Sequence, residues 1–262
     1  MAGLFFYPKM KGMQMEFDYL TTIKEYWNGA SDYYGETHPE HHDASRHPSW
    51  GLWHIPESEI RLLGAAIRPG VNLLEIGCGN GHDAVGFARL GANVMALDLS
   101  ERQIARGIPH PSVNYVCSKA ESVPADDGTF DIVTCDHGSL DHSPARLILP
   151  EVSRVLKPGG VGVFCVYSPL AMMCFDIESK KLGNRLLSPL PRAELHYNGE
   201  VTSSYMSHGD WIRELIDSGF VIERLEELRP CTASTEYFGE LVDLEWARKW
   251  PCDMAWVVRK RD

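Results

Sequence analysis

The sequence predicts an α/β protein: a doubly wound, mostly parallel sheet whose first strand ends in a glycine-rich turn. Three observations predict it. From residue 71 onward, short apolar runs alternate with amphipathic ones, the rhythm of strands alternating with helices. The strand-like runs are almost continuously apolar, as expected of parallel strands buried on both faces. The first of them stops at Gly77, Gly79 and Gly81, residues that let a backbone turn sharply and approach a ligand closely.

The elements follow in order. VNLLEI (71–76) reads as a strand, and HDAVGFARLG (82–91) as a helix closed by Gly91. NVMALD (93–98) is a strand, and SERQIARG (100–107) a helix with Ser100 as its N-cap. VNYVC (113–117) and FDIVTC (130–135) are strands three and four. RLILPEVSRVL (146–156) is an amphipathic helix stopped by KPGG, before a fifth strand, VGVFCVY (161–167). A helix at 210–219 and strands at 220–228 and 254–260 complete the pattern. Three stretches fall outside it: residues 1–70, with helix-like DYLTTIKEYWNGASDYY (18–34), residues 168–209 and residues 229–252. Excursions of that length usually serve as lids or binding loops. The expected organisation is an N-terminal helical or lid segment, 1–70, and a main domain, 71–262, carrying a substrate insertion at 168–209.

Bulk charge narrows the function. With 36 acidic against 25 basic residues, the net charge is −11. Such a chain has no general attraction for nucleic acid or anionic lipid, so neither partner is expected. The seven cysteines are odd in number and show no CxxC spacing, which points to buried, reduced thiols in a cytoplasmic protein rather than to a disulfide scaffold. No run is apolar enough to span a bilayer, and MAGLFFYPKMKGMQM lacks the charge order of a signal peptide.

The glycine turn differs from the dinucleotide fingerprint GxGxxG. Its third glycine comes one residue early, position 82 is His, and Glu75 stands two residues before Gly77. Asp98 ends the second strand, where a carboxylate can accept hydrogen bonds from both hydroxyls of a ribose. Further on come Ala120-Glu121 and Arg154-Val155-Leu156-Lys157-Pro158-Gly159-Gly160. This series, Glu75-x-Gly77-x-Gly79-x-Gly81 followed by the other three signals, resembles the class I S-adenosylmethionine-dependent methyltransferases, closely over 71–167 and more loosely over 210–260. The flanks WHIPESEIRLLG, CDHG and LEWARKWP resemble a bacterial subgroup of small-molecule methyltransferases.

The resemblance implies a Rossmann-like, seven-stranded sheet with a C-terminal antiparallel hairpin. It also implies S-adenosylmethionine as cofactor and S-adenosylhomocysteine as product. Carried over, it sets the backbone of Gly77, Cys78, Gly79 and Gly81, with Glu75, against the methionine and ribose part. Asp98 would hold the ribose, with Leu99, Ala120 and Glu121 around adenine. Asp136 would lie near the methionine amine, and Tyr34 on a helix folded over the cofactor. The bland readings are that a glycine serves only its turn and that Asp98 caps the Ser100 helix.

Methyl transfer to a hydroxyl needs a base. The loop CDHGSLDHSP after the fourth strand offers His137, Asp141 and His142. His137 ranks first by its place at the strand end and His142 second, while Asp141 serves better to orient a histidine. Alternatively, Asp141 or His142 caps the helix that begins near Ser143. His38, His41 and His42 lack the companion ligands of a metal array, so no metal is expected. The 168–209 insertion, with Met172, Met173, Phe175, Tyr197, Tyr205 and His208, either lines the site of a small organic methyl acceptor or forms the interface of a homodimer. The favoured function is O-methylation of a small metabolite; methylation of RNA, DNA or protein, and cofactor binding without catalysis, are the alternatives.

Overall fold

A computed structural model describes residues 18–37, 47–176, 179, 181–197, 201–231 and 242–262. Of Tyr34 and Tyr197 it describes the backbone only. His38, His41 and His42 lie outside the described residues.

Helix α1 (Tyr19–Thr37) comes first. The short antiparallel pair β1 (Ser49–Trp50) and β2 (Ile55–Pro56) and the one-turn helix α2 (Glu57–Ile60) follow. Then come β3 (Asn72–Ile76), α3 (His82–Arg89), β4 (Asn93–Asp98), α4 (Glu101–Ala105), β5 (Val113–Cys117), β6 (Phe130–Asp136), α5 (Ala145–Val155) and β7 (Leu156–Tyr167). The 168–209 stretch holds α6 (Pro169–Cys174), the small ladders β8 (Phe175–Asp176) with β9 (Lys181–Leu182) and β10 (Glu194–Tyr197) with β11 (Thr202–Tyr205), and the first residues of α7 (His208–Asp217). Strand β12 (Phe220–Leu228), helix α8 (Leu244–Lys249) and strand β13 (Asp253–Lys260) end the chain.

Seven strands form the main sheet in the order β12-β13-β7-β6-β3-β4-β5. All pairs from β7 to β5 are parallel, and β13 runs antiparallel to both β7 and β12. This is the mostly parallel sheet with a closing antiparallel hairpin that the sequence predicts. Alternate residues of β3 serve opposite faces: Leu73 joins a core with Phe87 and Trp50, Leu74 one with Ile148 and Trp211. The two-residue period of a strand and cover on both sides explain why VNLLEI reads as unbroken apolar sequence.

Local chemistry sets the helix starts. Ser100 caps α4 through its Oγ, which accepts from Gln103 N at 3.1 Å. Ser207 and Asp210 form a reciprocal capping box on α7. Pro144 stands at the N-cap of α5 and no side chain caps it, so Asp141 and His142 are not capping residues.

Several boundaries differ from the sequence reading. β7 begins at Leu156, not 161, because Leu156 pairs with Phe130 and a bulge before Ile132 takes up the register shift. α4 ends at Ala105, and α8 is an additional helix started by the Asp243 side chain on Trp246 N. Cys117 is exposed, unlike Cys78, Cys135, Cys165, Cys174 and Cys252.

The segment from Ser49 to Leu63 is core rather than cover. Trp50, Leu52, Trp53, Ile55, Leu62 and Leu63 are all buried in the cluster that includes β3 and β4. Buried Glu57 organises this segment. Its carboxylate accepts from Trp50 Nε1 at 2.7 Å and from the amides of Leu62, Leu63 and Gly64 at 3.1, 3.0 and 3.0 Å. Removing the acceptor strands buried donors. Glu57→Ala is expected to lower the unfolding free energy by roughly 3 kcal/mol or more. Urea denaturation checks this, and a loss below about 1 kcal/mol would mean that water replaces the carboxylate.

Candidate active site at the carboxyl edge of the sheet

The chain runs outward from β3 through β4 to β5, then returns to lay β6 and β7 on the other side of β3. The β3/β6 boundary is therefore the switch point of the sheet, where open α/β folds bind ligands beyond the strand ends. The glycine turn leaves β3 there, and the 136–142 loop leaves β6 beside it.

The three glycines do three different things. Gly77 (φ +74°) lies against the β6 loop: a Cβ on it would sit 2.5 Å from Ser139 N and 2.7 Å from Gly138 Cα. Gly81 (φ +76°) abuts Tyr115, whose ring Cε1 would lie 2.5 Å from a Cβ. Only at Gly79 (φ +54°) would a side chain meet nothing within 4 Å. Gly77 and Gly81 thus serve the packing of their own turn, and Gly79 alone leaves its approach open. The amides of Gly77 and Cys78 donate to Leu97 O at 2.7 and 3.0 Å, fastening the turn to β4.

Asp98 fixes the other side of the turn. Its Oδ2 accepts from Gly79 N at 2.9 Å and its Oδ1 from Ser100 N at 2.8 Å. Each oxygen retains a lone pair for a ligand hydroxyl. Burial pushes the Asp98 carboxyl up to about 6, against the lowering effect of the Ser100, Gly79 and Leu99 amides. Glu75 is buried at 6 % exposure, and its Oε2 makes no hydrogen bond. Burial first, then the charges of Asp83, Asp136 and Asp98, raise its pKa well above the usual carboxylate range.

Leu99 is half-buried and Ala120 buried. Glu121 Oε1 accepts from Tyr19 Oη of α1 at 3.0 Å. Asn28 Oδ1 of α1 accepts from Ser100 Oγ at 2.7 Å, and Asp32 pairs with Arg106 at 2.8 Å. Helix α1 therefore lies over the α4 and Glu121 side of the edge.

The β6 loop brings the candidate bases together but places them in opposite environments. His137 has φ +45°, an uncommon backbone for a residue with a Cβ. Its Nδ1 is 2.8 Å from Asp141 Oδ2, and its Nε2 is 3.5 Å from Asp253 Oδ1. Burial opposes charge on this ring, yet Asp253 and Asp141 outweigh it and raise its pKa well above 6.5. With a carboxylate facing each nitrogen, the pocket favours a cation at His137, either a proton on Nε2 or another positive charge beside it. A ring that holds a cation between two carboxylates is poorly placed to take a proton from a substrate.

His142 is its opposite. Nδ1 lies 2.8 Å from the carbonyl of Thr202, which only accepts. That bond places the hydrogen on Nδ1 and the lone pair on Nε2. Burial lowers the pKa of His142, outweighing the Thr202 bond and the Asp141 charge, so the ring is neutral at pH 7. Trp27 of α1 meets it edge-on, with ring centroids 5.4 Å apart. Tyr167 packs on His137 at 4.5 Å and on Tyr205 at 6.0 Å.

Sequence reasoning missed the strap at 49–52. Ser49 N donates to Asp83 Oδ1 at 3.1 Å, Gly51 N to Asp136 Oδ2 at 3.0 Å, and Leu52 N to Asp253 Oδ2 at 2.7 Å. Backbone donors leave no side-chain signature, so only SWGLW itself, with two tryptophans around a glycine, hinted at a buried turn. Burial pushes Asp136 up to about 7, with His137 pulling it down and Asp83 adding to the rise. In the 168–209 stretch, Met172 and Phe175 are core, while Tyr205 reaches Tyr167 beside His137.

The "Methyltransferase domain" family matches residues 74–164, the span from β3 to β7 that carries this edge. An uncharacterised methyltransferase of Synechocystis sp. is 39 % identical over 106 residues, 39 % of this chain and 50 % of that one. A ubiquinone biosynthesis O-methyltransferase of Xanthomonas campestris is 37 % identical over 166 residues, 59 % of this chain and 66 % of that one. Among solved structures, the Burkholderia thailandensis 1,6-didemethyltoxoflavin-N1-methyltransferase, with S-adenosylhomocysteine bound, shares the fold. Its TM-score is 0.63 at 16 % identity, covering 97 % of this chain and 94 % of that one. The sheet and its glycine edge are thus those of a class I S-adenosylmethionine-dependent methyltransferase domain, carried by residues 74–164. It spans about half to two thirds of the length of these curated relatives.

The cofactor of this family is S-adenosylmethionine, and the edge fits it: an open approach at Gly79 and a carboxylate, Asp98, with spare acceptor capacity. Ribose hydroxyls donate best to ionised Asp98, so acid must weaken binding. Affinity for S-adenosylhomocysteine is expected to be flat above the Asp98 value of about 6 and to fall by about tenfold per pH unit below it. Asp98→Asn should flatten that limb and cost roughly 1.5–3 kcal/mol, or about one to two decades, at neutral pH. Calorimetry across the range checks both, and an unchanged acid limb in Asp98→Asn would assign it to another carboxyl.

Proposed function

We propose that this chain methylates an oxygen of a small organic acceptor, with His142 as the general base. The observation that carries this reading is the tautomer of His142. A neutral, buried imidazole with Nδ1–H held by the Thr202 carbonyl offers Nε2 as an oriented proton acceptor. His137, first in rank from sequence, is better suited to hold Asp141 and the loop in place.

S-adenosylmethionine supplies a methyl group on a sulfonium, which becomes the neutral thioether of S-adenosylhomocysteine as the methyl leaves. The acceptor oxygen forms the new bond to the methyl carbon as the carbon–sulfur bond breaks, and the hydroxyl proton passes to His142 Nε2. The protein's work is alignment and that proton transfer. Asp98 takes the ribose hydroxyls. Gly79, Cys78 and Glu75 form the floor, with Gly77 and Gly81 holding its shape. Leu99, Ala120 and Glu121 border the adenine, Asp136 the methionine end, and α1, with Tyr34, the roof. The acceptor lies between α1 and the β10–β11 hairpin, beside Trp27, Tyr167 and Tyr205. The X. campestris relative, named for ubiquinone biosynthesis, supports a small-molecule acceptor and oxygen as the acceptor atom. The net charge of −11 weighs against nucleic acid.

The test measures S-adenosylhomocysteine release with phenol, carboxylate and amine acceptors. Turnover is expected on hydroxyl acceptors, and His142→Ala should lower kcat by about 10²–10⁴-fold with little change in cofactor affinity. Because the His142 pKa is lowered from 6.5, kcat for the parent should be flat at neutral pH and decline only below that value. Parental kcat in a folded His142→Ala variant would remove the base, and turnover confined to amines would move the reaction to nitrogen.

A further inference from the structure

At the ends of β6, β7 and β13, four side chains that take no part in the proton transfer converge. Asp136, His137 and Cys165 each offer a ligand atom within 4.8 Å of the others. Cys165 Sγ is 3.9 Å from His137 Nε2. Asp253 Oδ1 is 3.5 Å from the same nitrogen. Asp253 is fully buried at 0 % exposure, and this oxygen makes no hydrogen bond. A buried carboxylate oxygen without a donor is costly, and nothing in the proposed reaction explains it.

We propose that His137 Nε2, Cys165 Sγ, Asp253 Oδ1 and Asp136 bind one zinc-type divalent cation. The spacing suits it. Zinc bonds of about 2.0–2.3 Å in a tetrahedron set donor atoms about 3.3–3.6 Å apart. The 3.5 and 3.9 Å separations are at or just beyond that range. A proton on Nε2 answers Asp253 poorly at 3.5 Å, whereas a cation between them reaches both.

Three of the four ligands are also supported from behind, as metal ligands characteristically are. Asp141 accepts from His137 Nδ1 at 2.8 Å, which aims the Nε2 lone pair inward. Gly51 N holds Asp136 and Leu52 N holds the other oxygen of Asp253. A thiolate, an imidazole and carboxylates favour zinc over magnesium or calcium, which take oxygen ligands. Four protein ligands make a closed, structural site. It would pin three strands to the strap. The ligands lie at 136, 137, 165 and 253, on separate elements, which is why the sequence offered no metal array. The site does not depend on the identity of the methyl acceptor.

The experiment takes the full chain, dialysed against chelator, and titrates it with Zn²⁺ alone and with Co²⁺ alone. The expected result is one ion per chain, with a thiolate-to-cobalt charge-transfer band in the near ultraviolet. Cys165→Ala should abolish that band and weaken Zn²⁺ binding by at least about tenfold, and Asp253→Asn should weaken it likewise. Circular dichroism and S-adenosylhomocysteine binding on the same samples establish that the variants are folded and report separately on the cofactor site. Absence of stoichiometric Zn²⁺ binding would overturn the proposal and leave a proton as the only occupant. A charge-transfer band that persists in Cys165→Ala would overturn it too, by placing the ion on another cysteine.

Discussion

The edge of this sheet depends on satisfying carboxylates that water barely reaches. Glu75, Asp83, Asp141 and Asp253 are buried at 6, 6, 2 and 0 % exposure, and Asp98 and Asp136 stand beside them. An ionised carboxylate in such surroundings must be paired or hydrogen-bonded. The chain meets that demand mainly with backbone amides, those of Ser49, Gly51, Leu52, Gly79 and Ser100. Gly51 shows how tight the arrangement is: with φ +69°, a Cβ there would lie 2.6 Å from Asp253 Oδ2. Only glycine lets consecutive amides serve Asp136 and Asp253. Glu75, whose Oε2 has no donor, is instead pushed toward its neutral form by burial and by the charges of Asp83, Asp136 and Asp98.

The same accounting separates two histidines on one loop. His137 sits between Asp141 and Asp253 and is a cation unless a metal takes the place of its Nε2 proton. His142 faces a carbonyl on one nitrogen and the aromatic edge of Trp27 on its ring, and stays neutral. Sequence position ranked His137 first, whereas the surroundings of the two rings favour His142 for base chemistry, because a residue's neighbours along the chain say little about what faces each ring nitrogen. Asp253 is more than a hundred residues from His137 in sequence, and Thr202 is sixty from His142.

The sheet itself was legible because the period-two apolar pattern and its interruptions are local. Strands β3, β4, β5, β6, β12 and β13 fall within a residue or so of the runs that announce them. The start of β7 was not legible, since KPGG carries a turn signature and only pairing with β6 extends the strand through it. The two-residue strands β1 and β2 were also invisible, because their stability comes from buried Trp50 and the carboxylate of Glu57 rather than from pattern. The glycines were legible as a turn, but their separate partners were not. Tyr115 and Gly138, which exclude a side chain at Gly81 and Gly77, come close only through the β3–β4–β5 and β3–β6 pairings.

Helix α1 is held differently from everything beneath it. Ile23 and Ser31 are its buried residues at 5 and 1 % exposure. Its other described anchors include the hydrogen bonds Tyr19–Glu121, Asn28–Ser100 and Asn28–Arg102, the edge-on contact of Trp27 with His142, and the surface ion pairs Lys24–Glu101 and Asp32 with Arg102 and Arg106. Exposed pairs contribute about 0–1 kcal/mol each and weaken with salt. The strap, by contrast, buries Trp50, Leu52 and Trp53 and engages three carboxylates. The strap is thus anchored mainly by burial and buried carboxylates, and α1 more by polar contacts, several of them at the surface. Because α1 touches Glu121 and Ser100 on the proposed cofactor side and His142 through Trp27 on the proposed acceptor side, its docking spans both parts of the edge without a further element between them.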